Sequence, residues 1–528
     1  MKILVADKIS ATGVSLLKEQ KGFEVIEAYG SSPEKVKELA KEAAAIIVRS
    51  DTKITADTLS TANNLKVIGR AGVGVDNIDL DASTEKGVIV MNTPSGNTIA
   101  TAELTFTHML CGTRPIAQAN ASMTEGRWDR KVLSGSELRG KSLAVIGLGR
   151  IGGEVAKRAQ AFGMTILGYD PYVTEARAHE MDIELVNLED AFKRADYITV
   201  HMPLTDTTRY MIDEKAFTIM KDGVRVFNCA RGGIIKESAL VEALKSGKVA
   251  SAGLDVYESE PLAEDSELRK IPNIVLTPHL GASTREAQDN VGLEIAEAIR
   301  DTLLHGKIQN AINMPSVDAK TLETIRPLLG LGEKLGTILQ QTAEEQVVKL
   351  KITYLGSLGE IDTIPLTRSI QRGYLKAISG DMVNDVNAPY KLKQMGIEVE
   401  STKSNSEIDY AQLIKVEAFY SNGKSCTISG SLMGNDKPRI VELKGLDIEI
   451  NPASNLMILE NKDTPGMIGY LGTLLGNAKV NIANMSVSRN NDAETALSVY
   501  EMDSVPADAI IEEIKAHENI KAVKIVQF

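Results

Sequence analysis

Three polar side chains stand just past apolar runs that read as strands. Arg231 lies in Cys229-Ala230-Arg231-Gly232-Gly233, Glu260 in Asp255-Val256-Tyr257-Glu258-Ser259-Glu260-Pro261, and His279 in Thr277-Pro278-His279-Leu280-Gly281-Ala282. An imidazole can take the proton of a hydroxyl. A carboxylate on its far nitrogen fixes the tautomer and favours the protonated ring. A guanidinium fork suits a carboxylate and the oxygen beside it. Together the three make an acid–base set for hydride transfer to or from a small hydroxy acid. The chain has six histidines. His201, after the run Tyr197–Val200, reads as a residue lining a cofactor cleft, and His108 as a core or helix-face residue. His179, His305 and His517 sit in no motif.

A second pattern supplies the partner for such chemistry. Gly147-Leu148-Gly149-Arg150-Ile151-Gly152 follows the apolar run Leu143–Ile146 and opens a helical stretch. Gly147 permits a tight turn, Gly149 leaves the backbone open to a pyrophosphate, and Gly152 lets helix and strand pack closely. Asp170 ends the next strand, 18 residues after Gly152. A carboxylate there accepts bonds from both ribose hydroxyls and repels a 2′-phosphate, so NAD is expected rather than NADP.

These loops need a scaffold. Apolar runs at Ile3–Ala6, Ala45–Val48, Lys66–Ile68 and Val88–Met91 alternate with helical stretches, and a second alternating series runs from Ser142 to Leu276. Alternating strands and helices predict two doubly wound parallel-sheet domains. The expected division is 1–95 plus 287–315 for one and 96–286, the dinucleotide-binding Rossmann domain, for the other. An α+β intervening domain is expected at 316–452. Strand, helix, strand, strand, helix and strand over 453–528 give a ferredoxin-like βαββαβ order.

Composition removes other classes. At 528 residues with 43% hydrophobic and 25% charged, the chain has ample material for several cores. A formal charge of −12 argues against nucleic-acid or anionic-membrane binding. It also requires a locally basic pocket for any anionic substrate. The three cysteines, Cys111, Cys229 and Cys426, are widely spaced and form no CxxC pair, so no disulfide framework or metal site is expected and a reducing, cytoplasmic setting fits. No apolar run is long enough to predict a membrane helix.

The segments VRSDTKI, GRAGVGVDNIDLDA, NTPSGNT, GLGRIG, NCARGGIIKESAL, GLDVYESEP and TPHLGAST resemble the D-2-hydroxyacid dehydrogenases over residues 1 to about 315. The overall layout resembles their long form, which carries an intervening domain and a terminal ACT domain. The resemblance implies NAD-dependent oxidation of 3-phosphoglycerate, with Arg231 binding substrate, Glu260 supporting and His279 as catalytic base. It implies cofactor contacts at Gly147, Gly149, Arg150, Ile151, Gly152, Asp170, Cys229, Ala230, Arg231, Asp255, His279, Leu280, Gly281 and Ala282. It puts the substrate phosphate at Arg49 and Ser50, the substrate carboxylate near Val73 and Gly74, and Arg130 across a dimer interface. Val73 and Met202 stand where relatives often have Thr, so neither offers a hydroxyl to the cofactor. Asn461, Asp463 and Asn481 are implied as an L-serine effector site between paired ACT domains, in a homotetramer. Arg372, Lys391 and Lys393 of the intervening domain read as solvated surface charge. Two alternatives remain at this level: a hydroxypyruvate or 2-oxoglutarate reductase built on the same site, and an NAD(H)-sensing corepressor of the same fold.

Overall fold

In the computed structural model the N-terminal apolar runs form a parallel sheet of five strands. They are β1 (Lys2–Val5), β2 (Glu24–Glu27), β3 (Ala43–Val48), β4 (Val67–Arg70) and β5 (Ile89–Met91), in the order β2-β1-β3-β4-β5. The structure describes residues 1–315, 319–404, 406, 409–434, 436–452, 455–490 and 494–528. Every residue of β3 is buried, as a central strand covered on both faces requires. Helix α1 (Ala11–Glu19) is capped by Ser10, whose hydroxyl accepts the Gly13 amide. A short helix, α2 (Leu80–Glu85), precedes β5.

Helix α3 (Thr98–Thr113) crosses to a second parallel sheet and packs on it and on α4 (Arg150–Ala161). That sheet contains β6 (Ser142–Ile146), β7 (Thr165–Tyr169), β8 (Glu184–Leu185), β9 (Tyr197–Val200), β10 (Val224–Asn228), β11 (Val249–Leu254) and β12 (Ile274–Leu276), in the order β12-β11-β10-β9-β6-β7-β8. The chain runs outward from β6 through β7 and β8, then restarts on its other side at β9. The switch point between β6 and β9 is where doubly wound sheets hold ligands. Helix α5 (Arg285–His305) returns to α1 and β4 of the first sheet. A Cβ on Gly13 would lie 2.4 Å from the Gly292 carbonyl oxygen, so these two helices cross closely because glycine stands there.

The third sheet is mixed, with α6 (Ala319–Thr342) and α7 (Ile364–Ser379) packed together over it. Its strands are β13 (Val347–Gly356), β14 (Glu398–Ser404), β15 (Gln412–Tyr420), β16 (Ser425–Met433), β17 (Lys437–Leu443) and β18 (Leu446–Ile450), in the order β14-β13-β15-β16-β17-β18. Only the β13–β14 pair is parallel. Arg372 is not solvated surface charge: it bonds both Asp385 oxygens at 2.8 and 2.7 Å and Glu333 at 2.8 Å. Asn384 donates to the Gly87 carbonyl at 2.8 Å, just past α2, and so ties this unit to the first.

The last unit runs β19 (Asn455–Lys462), α8 (Met467–Asn477), β20 (Ile482–Asn490), β21 (Thr495–Met502), α9 (Asp508–Lys515) and β22 (Ile520–Val526), with sheet order β20-β21-β19-β22. Strand alternation sends neighbours to opposite faces. Met457 and Leu459 join a core under the two helices. Leu456 and Ile458 join the apolar core of the third sheet. The terminal sheet is thus covered on both faces, and its core is continuous with the unit before it.

Candidate active site

Every loop of the acid–base set leaves the carboxyl end of a strand in the second sheet. Arg231 follows β10, Glu260 follows β11 and His279 follows β12. The loops after β3 and β4 of the first sheet face them. Between the two groups lies a cleft of about 600 Å³ whose lining includes Arg49, Arg70, Gly74, Arg231, Glu260 and His279.

Glu260 and His279 are in direct contact, Oε2 to Nδ1 at 2.7 Å. A carboxylate only accepts, so Nδ1 carries the proton and Nε2 is left with a free lone pair. Burial works to raise the Glu260 carboxyl. The His279 hydrogen bond and charge, the Tyr257 amide and the Arg231 guanidinium outweigh it and hold Glu260 below its ordinary value. Arg231 Nε lies 3.4 Å from Asp76, a mostly exposed carboxylate on the opposing loop. A Cβ on Gly74 would fall 2.2 Å from the Arg231 guanidinium, so only glycine lets that group reach the first domain's loop.

The cleft concentrates positive charge. Arg49 and Arg231 are joined by Arg70, whose mostly buried guanidinium has an Nε with no partner among the described residues. Burial, and repulsion from Arg231 and Arg49, push Arg70 down to about 10. Asp7, itself buried, organises the Arg49 loop by accepting the amides of Arg49 at 2.6 Å and Thr52 at 3.1 Å. Ser50 and Val73 line the same cleft, and the Val73 carbonyl is held by Asn92 at 2.6 Å. Arg70, which precedes the glycine turn Gly72–Gly74, is with Arg49 one of the cations the sequence offers a distal phosphate; sequence reasoning missed Asn97. Asn97 precedes α3 without capping it, and its buried Oδ1, in the cleft wall, has no partner among the described residues. An asparagine at a helix start that makes no cap bond is the one signal, and it shows only in three dimensions.

The dinucleotide features fit a bound cofactor. Gly149 begins α4 with no side-chain cap, leaving first-turn amides open, and a Cβ built there meets nothing within 4 Å. Gly152 is required for packing, since its Cβ would sit 1.9 Å from the Gly147 carbonyl oxygen. Asp170 accepts the Leu148 amide at 2.9 Å and so braces the turn it was expected to serve. Ile151, Cys229, Ala230, Gly281 and Ala282 line the cleft, with Arg150 and Leu280 adjacent in the chain. His201 lines it too. Burial pushes its imidazole down to about 3, so it is a neutral wall residue bonded to Thr199 at 3.0 Å.

One expected contact stands elsewhere. Asp255 is fully buried and its carboxylate is occupied by Thr277, Leu280 and Gly281, so it supports the His279 loop from behind. Arg130 is exposed on the turn beyond the helix Ile116–Thr124, outside this chain's own cleft. In the terminal unit Asn461 is 3% exposed, its amide donating to the Lys462 carbonyl. Asp463 pairs with Arg489 at 3.1 Å, and Asn481 donates to Asp503 at 2.8 Å.

Comparison with known proteins agrees with this geometry. Residues 106–281 match the D-isomer specific 2-hydroxyacid dehydrogenase, NAD binding domain, and residues 324–444 match the D-3-phosphoglycerate dehydrogenase intervening domain. The D-3-phosphoglycerate dehydrogenase of Methanocaldococcus jannaschii is 43% identical over 527 residues, 100% of this chain and 99% of the relative. That of Archaeoglobus fulgidus is 42% identical, over 98% of each chain. A solved glyoxylate reductase from Paecilomyes thermophila superposes on 59% of this chain and 98% of its own, with a TM-score of 0.55 and 32% identity. Identity that runs from end to end of full-length relatives, through the intervening unit as well as the cofactor unit, leaves one assignment: the chain belongs to the D-3-phosphoglycerate dehydrogenase family.

Proposed function

We propose that this protein oxidises the C2 hydroxyl of 3-phospho-D-glycerate to the ketone, giving 3-phosphohydroxypyruvate, as the first step of phosphorylated L-serine synthesis. The observation that carries the reading is a Glu260–His279 pair sharing one cleft with three guanidiniums, Arg231 from the same sheet and Arg49 and Arg70 from the opposing one. Bound NAD supplies the nicotinamide ring that accepts the hydride. Its pyrophosphate would lie on the open amides from Gly149 to Gly152, with Asp170 toward the adenosine ribose. His279 Nε2 takes the hydroxyl proton as the C2–H bond breaks and the C2–O double bond forms. The ring becomes a cation, which Glu260 stabilises through Nδ1. In the reverse direction the same ring returns the proton.

Substrate choice follows from charge. The substrate carries a carboxylate and a phosphate, and the chain as a whole is acidic. Arg231 is the carboxylate fork, with the Val73 and Gly74 backbone beside it. Arg49, Ser50 and Arg70 face the distal phosphate. Arg130 adds charge to a neighbouring subunit's cleft in a homotetramer. L-Serine acts as effector at Asn461, Asp463 and Asn481 between paired terminal domains. Releasing Asp463 from Arg489 and Asn481 from Asp503 is then part of effector binding. Among the described residues no helix is long and apolar enough to cross a membrane, and the three cysteines are free thiols.

The test is NADH formation from 3-phosphoglycerate and from unphosphorylated glycerate, with the ketone product removed. A kcat/KM at least tenfold higher for the phosphorylated acid is expected. Equal values would overturn the assignment of Arg49 and Arg70. No turnover on either acid would return the protein to the binding-protein class.

A further inference from the structure

His108 is 1% exposed on α3 and is not part of the cleft lining. Its Nε2 lies 2.9 Å from the Thr277 hydroxyl. That hydroxyl lies 2.6 Å from Asp255 Oδ1. Asp255 is fully buried, and its oxygens accept the Leu280 amide at 2.7 Å and the Gly281 amide at 2.8 Å. These amides immediately follow His279, whose φ of 57° is uncommon for a residue with a side chain. Thr101 anchors the same turn from α3 by donating to the Gly281 carbonyl at 2.9 Å.

The proton count along this chain has one solution. Thr277 has a single hydroxyl proton, and a carboxylate acceptor at 2.6 Å takes it. His108 must then donate from Nε2, which leaves Nδ1 as a bare lone pair. Nδ1 is indeed buried with no partner among the described residues. Burial holds His108 below its ordinary value against the opposing pull of Asp255, so the ring is neutral. Room for it depends on Gly253, where a Cβ would lie 2.7 Å from Nδ1. A helix-face histidine with only a packing role would not need a donor aimed at the catalytic loop.

We propose that His108 is a positioning residue for His279, acting through Thr277 and Asp255 to fix the strained turn that carries the base. The proposal rests on the reading of His279 as the base. If the wild-type enzyme does not turn over, that reading fails. If it turns over and the variants below behave otherwise than stated, only the relay fails.

The test is a double-mutant cycle on the full-length protein, reading kcat, KM for 3-phosphoglycerate and the Kd for NADH. His108→Leu removes the donor and keeps bulk, and is expected to lower kcat about tenfold with KM and Kd within threefold. His108→Gln restores a donor at similar reach and is expected to recover kcat to within threefold of wild type. Thr277→Val is expected to lower kcat at least tenfold, and adding His108→Leu to it to cost no more than a further twofold. Leu and Gln variants equally impaired, His108→Leu within twofold of wild type, or losses that multiply in the double variant would each overturn the proposal. Should His108→Leu fail to fold, Thr277→Ser against Thr277→Val carries the test, with the relay requiring the serine variant to stay within threefold of wild type.

Discussion

Replacing Glu260 with Gln tests how the base is supported, because the amide oxygen can still accept from Nδ1 and hold the tautomer while the charge is gone. Two unit charges about 4 Å apart attract by roughly 4 kcal/mol at an effective dielectric near 20. His279 and Glu260 are 48% and 36% exposed, so solvent weakens that considerably. A charge-assisted bond worth roughly 1.5–2 kcal/mol remains. At about 1.4 kcal/mol per decade, kcat for oxidation falls ~10- to 30-fold. The loss lies in the step where the ring becomes positive, so NADH binding measured by fluorescence stays within twofold. A kcat within twofold of wild type would refute the role given to Glu260.

Arg49→Ala and Arg70→Met are each expected to raise KM for 3-phosphoglycerate at least tenfold while changing KM for glycerate less than threefold, as steady-state kinetics on both acids will show. Asp255→Asn sets an amide donor against the Leu280 or Gly281 amide; unfolding in denaturant is expected to show a loss of about 1–3 kcal/mol, and turnover a fall of roughly 100-fold from the loosened loop. Unfolded His201 takes up a proton near its ordinary value, whereas the folded ring resists until about pH 3. Its folded value is depressed, so its contribution is present above about pH 6.5 and is lost as pH falls below that, at up to ~1.4 kcal/mol per pH unit. His201→Phe should flatten the stability–pH curve between pH 6.5 and 4. Asp170→Ser should narrow the preference for NAD over NADP at least tenfold in kcat/KM, since the carboxylate that repels a 2′-phosphate is gone.

The parts legible in the sequence were those written in local runs. β6, the glycine turn and α4 follow from an apolar strand, three glycines and a helical stretch in immediate succession. The loops bearing Arg231, Glu260 and His279 announce themselves because each comes directly after a strand. Strand β2 was not legible: Glu24-Val25-Ile26-Glu27 is an edge strand with charge at both ends, and it pairs on one side only. Most strands of the third sheet were not legible, since segments such as Ser425–Met433 mix small and polar residues and are buried by the neighbouring strands and by α6. Asn97 was hidden for another reason: its sequence neighbourhood is ordinary, and only the fold brings its side chain to the cleft wall. Asp255 shows the converse, a residue beside the right motif whose side chain points behind the loop rather than into the cleft. Arg372 looks like surface charge until Glu333 and Asp385 arrive from other helices and loops.

The most direct measurement is turnover of 3-phosphoglycerate with NAD by the wild-type protein and by His279→Ala, with NADH binding followed in parallel. The account predicts a wild-type enzyme that forms NADH, a variant slower by ~10²–10⁴-fold, and equal affinity of both for NADH. Undiminished turnover in the variant would contradict it.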